Sequence, residues 1–536
     1  MPYTFCVKSK PKADILQWVR KPAVIVVVVV IVAAGVLVRK ILYYSADPIG
    51  EKDCPPLASA GDKATRITLP YDPSLTWEQK GGTINDSSCL DRTPVFGIVE
   101  VKSTSDVSRA LAFARAHSLK ISIAGVRHSQ GGQAFAKNAL VLDMRTFKTV
   151  SLDEKNKVLT AEGGATWHDI QKYLHPKFSV KAMQSTDIFT VGGSISVNAH
   201  GMDHQAGSVG DTLLSVTVML PDGSVVRTTP GEDLFRHVVG GYGLFGIILS
   251  ADVRVTDNVI YRSERQLIKT ADFPTAWKDI EANKNIGLFY AHLSTAPGSL
   301  LDEGILYTYA KTDADPMLSP PLGEVSSVKL RRLTINLSKL GPIWMSLKWW
   351  MEKYVEPKIE TCEISRTQAL ATGEGCLVAR NEPMHDSVPY LKNNLKNDTD
   401  ILHEYFIPRD RILSFVAGMK KIFTENGTNI LNVSIRVVHK EDIALNYAPT
   451  DAFSVVLYIN QTTDAAGNAK MKKVTGELID LTHAEGGRFF LPYQLHYSPE
   501  QLRASYPAIS QFFEAKKRYD PQELLTNTWY ETYKGV

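Results

Sequence analysis

Glycine is concentrated at four places between residues 125 and 246, and this pattern restricts the possible fold more than any other feature of the chain. The clusters are Gly125 with Gly131 and Gly132; Gly192 with Gly193 and Gly201; Gly207 with Gly210; and Gly240 with Gly241, Gly243 and Gly246. Glycine tolerates positive φ and has no side chain, so backbone amides in such loops can approach a bound group closely. A tight turn would explain any one cluster. Four in one segment, without a Walker lysine or a GxGxxG after the first predicted strand, argue against P-loop and Rossmann sites and favour a large cofactor held by many loops.

Short strands and helices alternate around these glycines. GIVEV (97–101) and LKISIAG (119–125) are typical of strands, and VSRALAFARAH between them is typical of a helix. The alternation continues to about Val255, and after residue 258 it changes to a longer mixture of helix and strand. Because a single hydrophobic core stops growing near roughly 250 to 300 residues, a chain of 536 residues is expected to form two lobes.

We therefore predict an α+β chain with two lobes, preceded by one N-terminal transmembrane helix. Its expected parts are a cytoplasmic tail and anchor (1–44), a tether (45–91), a first lobe (92–258), a mixed α/β second lobe (259–487), and a C-terminal segment (488–536) that packs back on the first lobe. The formal charge is only +3, and no basic stripe is interleaved with aromatic residues. This composition argues against a nucleic-acid partner.

The anchor is predicted from residues 22–38 (PAVIVVVVVIVAAGVLV), which carry no charge. A membrane span needs about 17 to 25 residues, and flanking Arg39 and Lys40 can snorkel to make up the length. A cleavable signal peptide is the alternative, although no clear small-x-small site follows. Lysine and arginine are more frequent before the run than after it, which predicts a cytoplasmic N-terminus and an extracytoplasmic body, periplasmic or lumenal.

Four cysteines follow the predicted span. Cys54 could pair with Cys89 and Cys362 with Cys376, as expected outside the cytoplasm, although four buried thiols are the alternative.

A tryptophan-rich segment, GPIWMSLKWWMEKYV (341–355), is predicted to be helical. Such a segment is usually part of a core or a lobe interface. The alternative is a helix that lies on the membrane surface.

The span from about Pro94 to Val255 resembles the PCMH-type FAD-binding domain of the vanillyl-alcohol oxidase family. The matching segments are AGVRHSQGG (124–132), TVGGSISVNAHGMDHQAGSVGD (190–211), DLFRHVVGGYGLFGII (233–248) and the closing RYDPQELLTNTWYETY (518–533). The nearest motifs are those of sugar-alcohol and aldonolactone oxidases and of decaprenylphosphoryl-ribose oxidases. The resemblance implies a FAD-binding lobe, a substrate or cap lobe, and an extended flavin with its pyrophosphate held by backbone amides.

Carried onto this sequence, the resemblance implies a set of cofactor-binding residues in the glycine-rich loops and the closing segment. They are Gly125, Val126, Arg127, His128, Ser129, Gly131, Gly132, Gly192, Gly193, Ser194, Asn198, Gly201, Ser208, Gly210, Gly246, Ile247 and Asn527.

His128 stands where sugar-alcohol and aldonolactone oxidases of this family carry a histidine bonded covalently to the flavin ring methyl. The resemblance therefore implies a covalent link, which would make the flavin a stronger oxidant. An ordinary loop histidine is the alternative. Other relatives add a cysteine link, but STDIFTVGG (185–193) contains no cysteine, so a doubly linked flavin is not expected.

Catalytic candidates lie mainly in the second lobe. Arg436 falls where sugar-alcohol oxidases carry an arginine in a strand reading EIRT, but the accompanying glutamate is Ser434 here, so that substrate contact is in doubt. Tyr493 and His496 offer hydrogen-bonding groups, and an imidazole is suited to base work. His200 is predicted to lie near the flavin. With His204 it forms HxxxH, but the surrounding glycines favour a loop, so no metal is expected.

The function predicted from these features is oxidation of a CH-OH group of a sugar, polyol, lactone or lipid-linked sugar, with hydride transfer to FAD. Oxygen, a quinone or a redox protein would then accept the electrons. The alternative is a flavin-bearing binding or assembly protein at the membrane that has no turnover.

Overall fold

The computed structural model describes residues 22–47, 71–355, 376–392, 395 and 397–536. Its first element is helix α1 (Pro22–Ser45), which begins at a proline, a residue well suited to the first helical turn. Within the described residues, α1 is the one helix long and apolar enough to cross a membrane, with a mean hydropathy of 2.8 over Ile25–Ser45, and none of that stretch is buried.

The first lobe combines two larger sheets and a two-stranded sheet, β2-β3, with four α-helices among the described residues. Its strands are β1 (Trp77–Lys80), β2 (Thr83–Ile84), β3 (Thr93–Pro94), β4 (Gly97–Glu100), β5 (Ile121–Ala124), β6 (Leu140–Asp143), β7 (Val150–Asp153), β8 (Val158–Glu162), β9 (Phe178–Val180), β10 (Leu213–Met219), β11 (Val225–Thr228) and β12 (Ile247–Asp257). Its helices are α2 (Thr104–Ala116), α3 (Trp167–Leu174), α4 (Val191–Val197) and α5 (Asp233–Val238).

The two larger sheets of the first lobe differ in the relative direction of their strands. The first has the order β1-β4-β6-β5, and its strands β4, β6 and β5 run parallel. The second has the order β11-β10-β12-β8-β7, with β9 also paired to β12, and all its pairs are antiparallel. The β-α-β opening expected from GIVEV, the following helix and LKISIAG is therefore β4, α2 and β5.

The second lobe is built on one antiparallel sheet. Its strands are β13 (Ile260–Lys269), β14 (Ile286–Leu293), β15 (Glu303–Lys311), β16 (Leu377–Ala379), β17 (Asp398–Pro408), β18 (Asn429–Val438), β19 (Ala452–Thr462) and β20 (Arg488–Phe489), in the spatial order β16-β13-β15-β14-β18-β19-β17-β20. The helices of this lobe are α6 (Phe273–Ala282), α7 (Val328–Ser338), α8 (Pro342–Tyr354), α9 (Ile412–Asn426) and α10 (Ala465–Ala484).

The two faces of this sheet have different partners, because successive residues of a strand point to opposite sides. In β17, Leu402 and Glu404 line a cavity between the lobes. Their neighbours point the other way: the Tyr405 ring lies 5.9 Å from that of Phe415 on α9, and His403 contacts Thr475 on α10. One face of the sheet therefore belongs to the core and the other to the cavity.

The C-terminal segment connects both lobes. It starts with β20 on the edge of the second-lobe sheet and continues through α11 (Pro499–Ser505), α12 (Ile509–Tyr519) and α13 (Thr528–Tyr533). On the first lobe, the amide of Ile121 donates to the Leu524 carbonyl at 2.7 Å, and the amide of Thr526 donates to the Ile121 carbonyl at 2.8 Å. These bonds extend the parallel sheet of the first lobe at β5.

Cys89 and Cys376 are both disulfide-bonded. Cys54 and Cys362, their partners in the predicted pairing, lie outside the described residues, so that pairing stays a prediction.

Candidate active site

A cavity of about 1100 Å³ lies between the two lobes. The first lobe contributes the loops around residues 125–130, 184–190 and 242–248, and the second lobe contributes the open face of its sheet. Ligand sites usually occupy about 300 to 1,000 Å³, so this volume suits a large cofactor together with a substrate.

The first-lobe wall contains several glycines. Eight of the predicted cofactor residues lie in it: Gly125, Val126, Arg127, His128, Ser129, Gly192, Gly193 and Gly246. A Cβ atom on Gly125 would fall 2.3 Å from Thr190 Oγ1, and one on Gly192 would fall 2.9 Å from the Gly163 carbonyl oxygen. Only glycine lets these loops pack so closely, and the result is a wall of accessible backbone suited to the phosphates and ring system of FAD.

The cavity wall does not include the other nine predicted cofactor residues, all of which the structure describes: Gly131, Gly132, Ser194, Asn198, Gly201, Ser208, Gly210, Ile247 and Asn527. Several of them hold the wall in place instead. Asn527 Nδ2 donates to the carbonyl of the wall residue Tyr242 at 2.9 Å, and Asn198 Oδ1 accepts from the Gly210 amide at 2.9 Å. For these nine positions direct contact with FAD stays a prediction.

His128 lies in the wall on the loop that follows β5. The preceding residue, Arg127, has a left-handed backbone with φ of 56°, which turns the chain sharply at this point. The His128 ring packs edge-on against Phe189, with ring centroids 5.3 Å apart. The side chain thus reaches the cavity from a constrained loop.

Glu404 is the centre of the polar groups in the second-lobe wall, and the sequence analysis did not identify it. Its Oε1 lies 2.5 Å from His200 Nε2 and accepts a hydrogen bond from Ser454 Oγ, also at 2.5 Å. Its Oε2 accepts from the Tyr493 hydroxyl at 3.2 Å. Burial alone would raise the pKa of Glu404, but His200, Ser454 and the charge of Arg436 hold that pKa below its usual value.

Arg436 reaches the cavity from β18 on the same face of the sheet. Burial lowers the pKa of its guanidinium, while the Glu404 carboxylate opposes that shift. Nε of Arg436 is buried and has no hydrogen-bond partner among the described residues. The side chain as a whole is partly exposed to the cavity, where a guanidinium is suited to bind an oxygen atom of a ligand.

The register of the sheet accounts for the departure from EIRT noted in the sequence. Ser434 of β18 pairs with Val456 of β19, and Val456 pairs with Glu404 of β17. Glu404 therefore lies in the row of Ser434, two strands away and on the same face. A carboxylate is present beside Arg436 after all, but it comes from another strand.

Tyr493 also lies in the wall, and its catalytic role stays a prediction. Burial, together with the charge of Glu404, raises its pKa well above 10, so its phenol stays protonated and donates to Glu404.

The prediction that His496 belongs to the site is not supported, because His496 lies outside the cavity wall. Burial lowers the pKa of its imidazole to about 4. A histidine outside the cavity is not positioned to act as a base on a ligand there.

The two histidines of HxxxH have different partners. His200 binds Glu404, whereas the His204 ring lies 5.7 Å from that of Trp277, and burial lowers the pKa of His204 to about 4. Residues 198–205 form loops and turns, as the surrounding glycines indicate.

A second histidine cluster joins the lobes beside the cavity. His168 Nδ1 and His385 Nδ1 lie 2.8 and 2.9 Å from the same oxygen of Asp187, and the two imidazoles stack with centroids 4.6 Å apart. The three ligand atoms are close enough to hold a metal ion. Burial would raise the pKa of Asp187, but hydrogen bonds from His385, Ser387 and His168 lower it, so the cluster already satisfies the carboxylate without an ion.

A first lobe whose glycine-rich loops line a large cavity, closed by an antiparallel sheet that presents polar groups, is the architecture of a two-lobe flavoprotein. The fold is similar to that of a solvent-stable cholesterol oxidase of known structure, with a TM-score of 0.64 over 86% of this chain and 98% of that chain, at 15% identity. Residues 96–229 match the FAD binding domain family, and residues 333–533 match the D-arabinono-1,4-lactone oxidase family.

The chain is also similar to curated proteins that are oxidoreductases. Decaprenylphosphoryl-beta-D-ribose oxidase of Mycolicibacterium smegmatis is 23% identical over 80% of this chain and 93% of its own length. An uncharacterized oxidoreductase from the fasciation locus of Rhodococcoides fascians is 31% identical, and cytokinin dehydrogenase 2 of Arabidopsis thaliana is 27% identical. These two alignments cover 32% and 41% of this chain, and only 39% and 44% of the relatives. These similarities identify the chain as an FAD-dependent oxidoreductase whose first lobe is similar to the FAD binding domain family and whose second lobe and C-terminal segment are similar to the D-arabinono-1,4-lactone oxidase family, and its cofactor is FAD.

Proposed function

We propose that this protein is a membrane-anchored FAD-dependent enzyme that oxidises a CH-OH group of a sugar, polyol, lactone or lipid-linked sugar. The observation that carries the proposal is the cluster formed by Glu404 and Arg436 of the sheet with Tyr493 of the C-terminal segment, across the cavity from the glycine-rich loops. Oxidation of an alcohol removes a hydride from carbon and a proton from oxygen. A cavity for the reaction must therefore offer a proton acceptor and a group that stabilises charge on oxygen.

The side chains divide these tasks. Bound FAD supplies the hydride acceptor. In the proposed mechanism the Tyr493 oxygen takes the substrate hydroxyl proton as its own phenolic proton passes to Glu404 Oε2, along the 3.2 Å hydrogen bond that already joins them. Arg436 stabilises negative charge on the substrate oxygen while the carbonyl forms. His200 and Ser454 hold Glu404 in position through its other oxygen.

His128 is the proposed point of covalent attachment of FAD. Its place in the wall, on a constrained loop, supports this assignment. A bond from the imidazole would withdraw electron density from the flavin and would retain the cofactor outside the cytoplasm.

The anchor in this proposal is α1. Its length, composition and exposure suit a single membrane span, and the excess of basic residues before it favours a cytoplasmic N-terminus. The disulfide-bonded Cys89 and Cys376 support an oxidising environment for the body of the protein.

Anaerobic reduction of the bound flavin tests the function directly. The full chain in lipid nanodiscs would be mixed with polyols, aldonolactones, sugars and glycolipids while the flavin absorbance is followed. We expect at least one CH-OH donor to bleach the wild-type flavin and to bleach the Glu404→Gln flavin far more slowly. If none reduces it, and Glu404→Gln preserves the physiological activity, the protein is a flavin-bearing binding or assembly protein instead.

A further inference from the structure

Helix α8 carries an apolar stripe that the rest of the described protein does not cover. Ile343, Leu347, Trp350 and Tyr354 are all exposed, with Ile343 at 82% and Trp350 at 51%. The spacing of four, three and four residues places them on one face of the helix. This face forms part of the surface, whereas Met345 and Trp349 of the same helix are buried.

The lysines of α8 are held by ion pairs, and Nζ of Lys353 also lies 5.4 Å from the centre of the Tyr354 ring at the end of the stripe. Lys348 is buried and pairs with Glu352 at 2.5 Å, and Lys353 pairs with Glu303 at 3.1 Å. The stripe itself consists of four uncharged side chains, those of Ile343, Leu347, Trp350 and Tyr354. Aliphatic residues next to tryptophan and tyrosine are the composition of helices that lie in a membrane interface.

Helix α7 places the stripe next to the end of the anchor. Asn336 Nδ2 donates to the Tyr44 carbonyl at 2.9 Å, and Arg332 Nη1 donates to Asp47 Oδ1 at 2.7 Å. Helix α7 packs against both α1 and α8. Where α1 leaves a bilayer, α7 and α8 would therefore be held at its surface.

The same helices border the opening of the cavity. The exposed residues of the cavity wall are Gly323, Glu324, Ser326, Ser327, Leu330 and Arg331, together with Gly193 and Lys392. Six of these eight lie in or just before the first turn of α7, and Met351 and Val355 of α8 also line the cavity. The mouth thus lies at the N-terminal end of α7, and α8 contributes to the cavity wall beside it.

We propose that the stripe on α8 docks on the bilayer that holds α1, so that the cavity mouth at α7 opens at the lipid surface. Partly exposed Leu330, at 53%, would then meet lipid at the entrance. A substrate with a hydrocarbon chain would reach the site from the membrane without crossing water. This inference rests on the membrane anchoring in the proposed function, but it does not depend on the enzyme activity.

A fluorescent label on the full chain in phosphatidylcholine vesicles tests whether the cavity mouth contacts lipid. In a Cys6→Ser background, Leu330→Cys would carry an environment-sensitive nitrobenzoxadiazole label. Val225→Cys, equally exposed at 53% on β11 of the first lobe, is the matched control. We expect a blue-shifted label at position 330 that brominated acyl chains quench at least twofold, and an unshifted, unquenched label at position 225. Equal behaviour at the two positions would overturn the proposal.

A second variant separates docking from anchoring. Ile343→Glu adds a charge to a side chain that is already 82% exposed, so the fold should tolerate it. We expect this variant to float with vesicles through α1 while the quenching at position 330 falls to the level of the control. Undiminished quenching would contradict docking through α8. A wild-type chain that does not float with vesicles would overturn the anchoring and, with it, this surface.

Discussion

Glu404 of the second lobe and His200 of the first lobe are joined by a contact of 2.5 Å between Oε1 and Nε2. The contact crosses the cavity region and links strand β17 to the loop that follows α4. Because the same carboxylate also accepts from Tyr493, Glu404 takes part both in a contact between the lobes and in the polar cluster of the cavity.

Replacing Glu404 should therefore lower the rate of flavin reduction. Glu404→Gln keeps the size of the side chain but removes the proton acceptor for Tyr493. General-base groups commonly contribute about 10²- to 10⁴-fold to rate, and we expect a loss of that order in the rate of anaerobic flavin reduction. Ser434→Ala, in the same row of the sheet, is the matched control and should change the rate by less than about threefold. Comparable losses in both variants would point to general damage to the sheet.

Arg436 should speed flavin reduction by stabilising negative charge on the substrate oxygen. Arg436→Met removes the guanidinium and retains an unbranched apolar side chain. Loss of one group that stabilises a developing oxyanion typically costs about 10²- to 10³-fold in rate, so single-turnover reduction should slow by that order. An unchanged rate with a raised KM would contradict this role and would assign Arg436 to ground-state binding alone.

We expect the covalent attachment of FAD to depend on His128. Wild-type protein precipitated with acid and run on a denaturing gel should retain flavin fluorescence, and His128→Ala should lose it while native protein still binds FAD through the loops. His117→Ala, at the C-terminal end of α2, is the control and should keep the fluorescent band. Complete release of flavin from the wild type would contradict covalent attachment.

Much of the first lobe could be predicted because its signals are local. The order β4, α2, β5 follows from short-range periodicity, and the glycine-rich loop that follows β5 marks the part of the cavity wall that contains Gly125 and His128. Contacts behind that wall were harder to foresee. Asn527 supports Tyr242 across 285 residues of sequence, and no local pattern distinguishes a residue that touches a ligand from one that holds its neighbour.

Glu404 shows why part of the site could not be predicted. Its place beside Arg436 depends on β19, which pairs with both β17 and β18 and thereby brings residues 404 and 434 into one row. Strand order in an antiparallel sheet is a tertiary property. The available signal was an acidic residue inside DILHEYFIP (400–408), a strand whose other residues are mostly apolar, and such a residue needs a partner when it is buried.

The disulfide pairing can be resolved by peptide mapping under non-reducing conditions. We expect cross-linked peptides that join Cys54 to Cys89 and Cys362 to Cys376. Cys89→Ser should lower the free energy of unfolding by about 2 to 5 kcal/mol in a urea titration, whereas Cys6→Ser should leave it unchanged. A peptide that joins Cys89 to Cys362, or Cys54 to Cys376, would refute the predicted pairing.

His496 should affect the stability of the protein at low pH rather than its catalysis. Burial lowers the pKa of its imidazole from 6.5 to about 4, so between these values the unfolded chain binds a proton that the folded chain does not. Its contribution is therefore intact above pH 6.5 and is lost as the pH falls towards 4. Since one pKa unit corresponds to about 1.4 kcal/mol and the side chain is partly exposed, we expect roughly 1 to 3 kcal/mol of acid sensitivity from this residue.

The variant His496→Asn should remove that sensitivity. Its free energy of unfolding, measured by urea titration between pH 7 and pH 4, should fall less steeply than that of the wild type, while the rate of flavin reduction stays within about twofold. His483→Asn, at an exposed position of α10, controls for the loss of a histidine. Parallel curves for wild type and His496→Asn would show that the imidazole stays accessible to protons in the folded state. A large loss of flavin reduction in His496→Asn would return this residue to the active site, where the sequence alone had placed it.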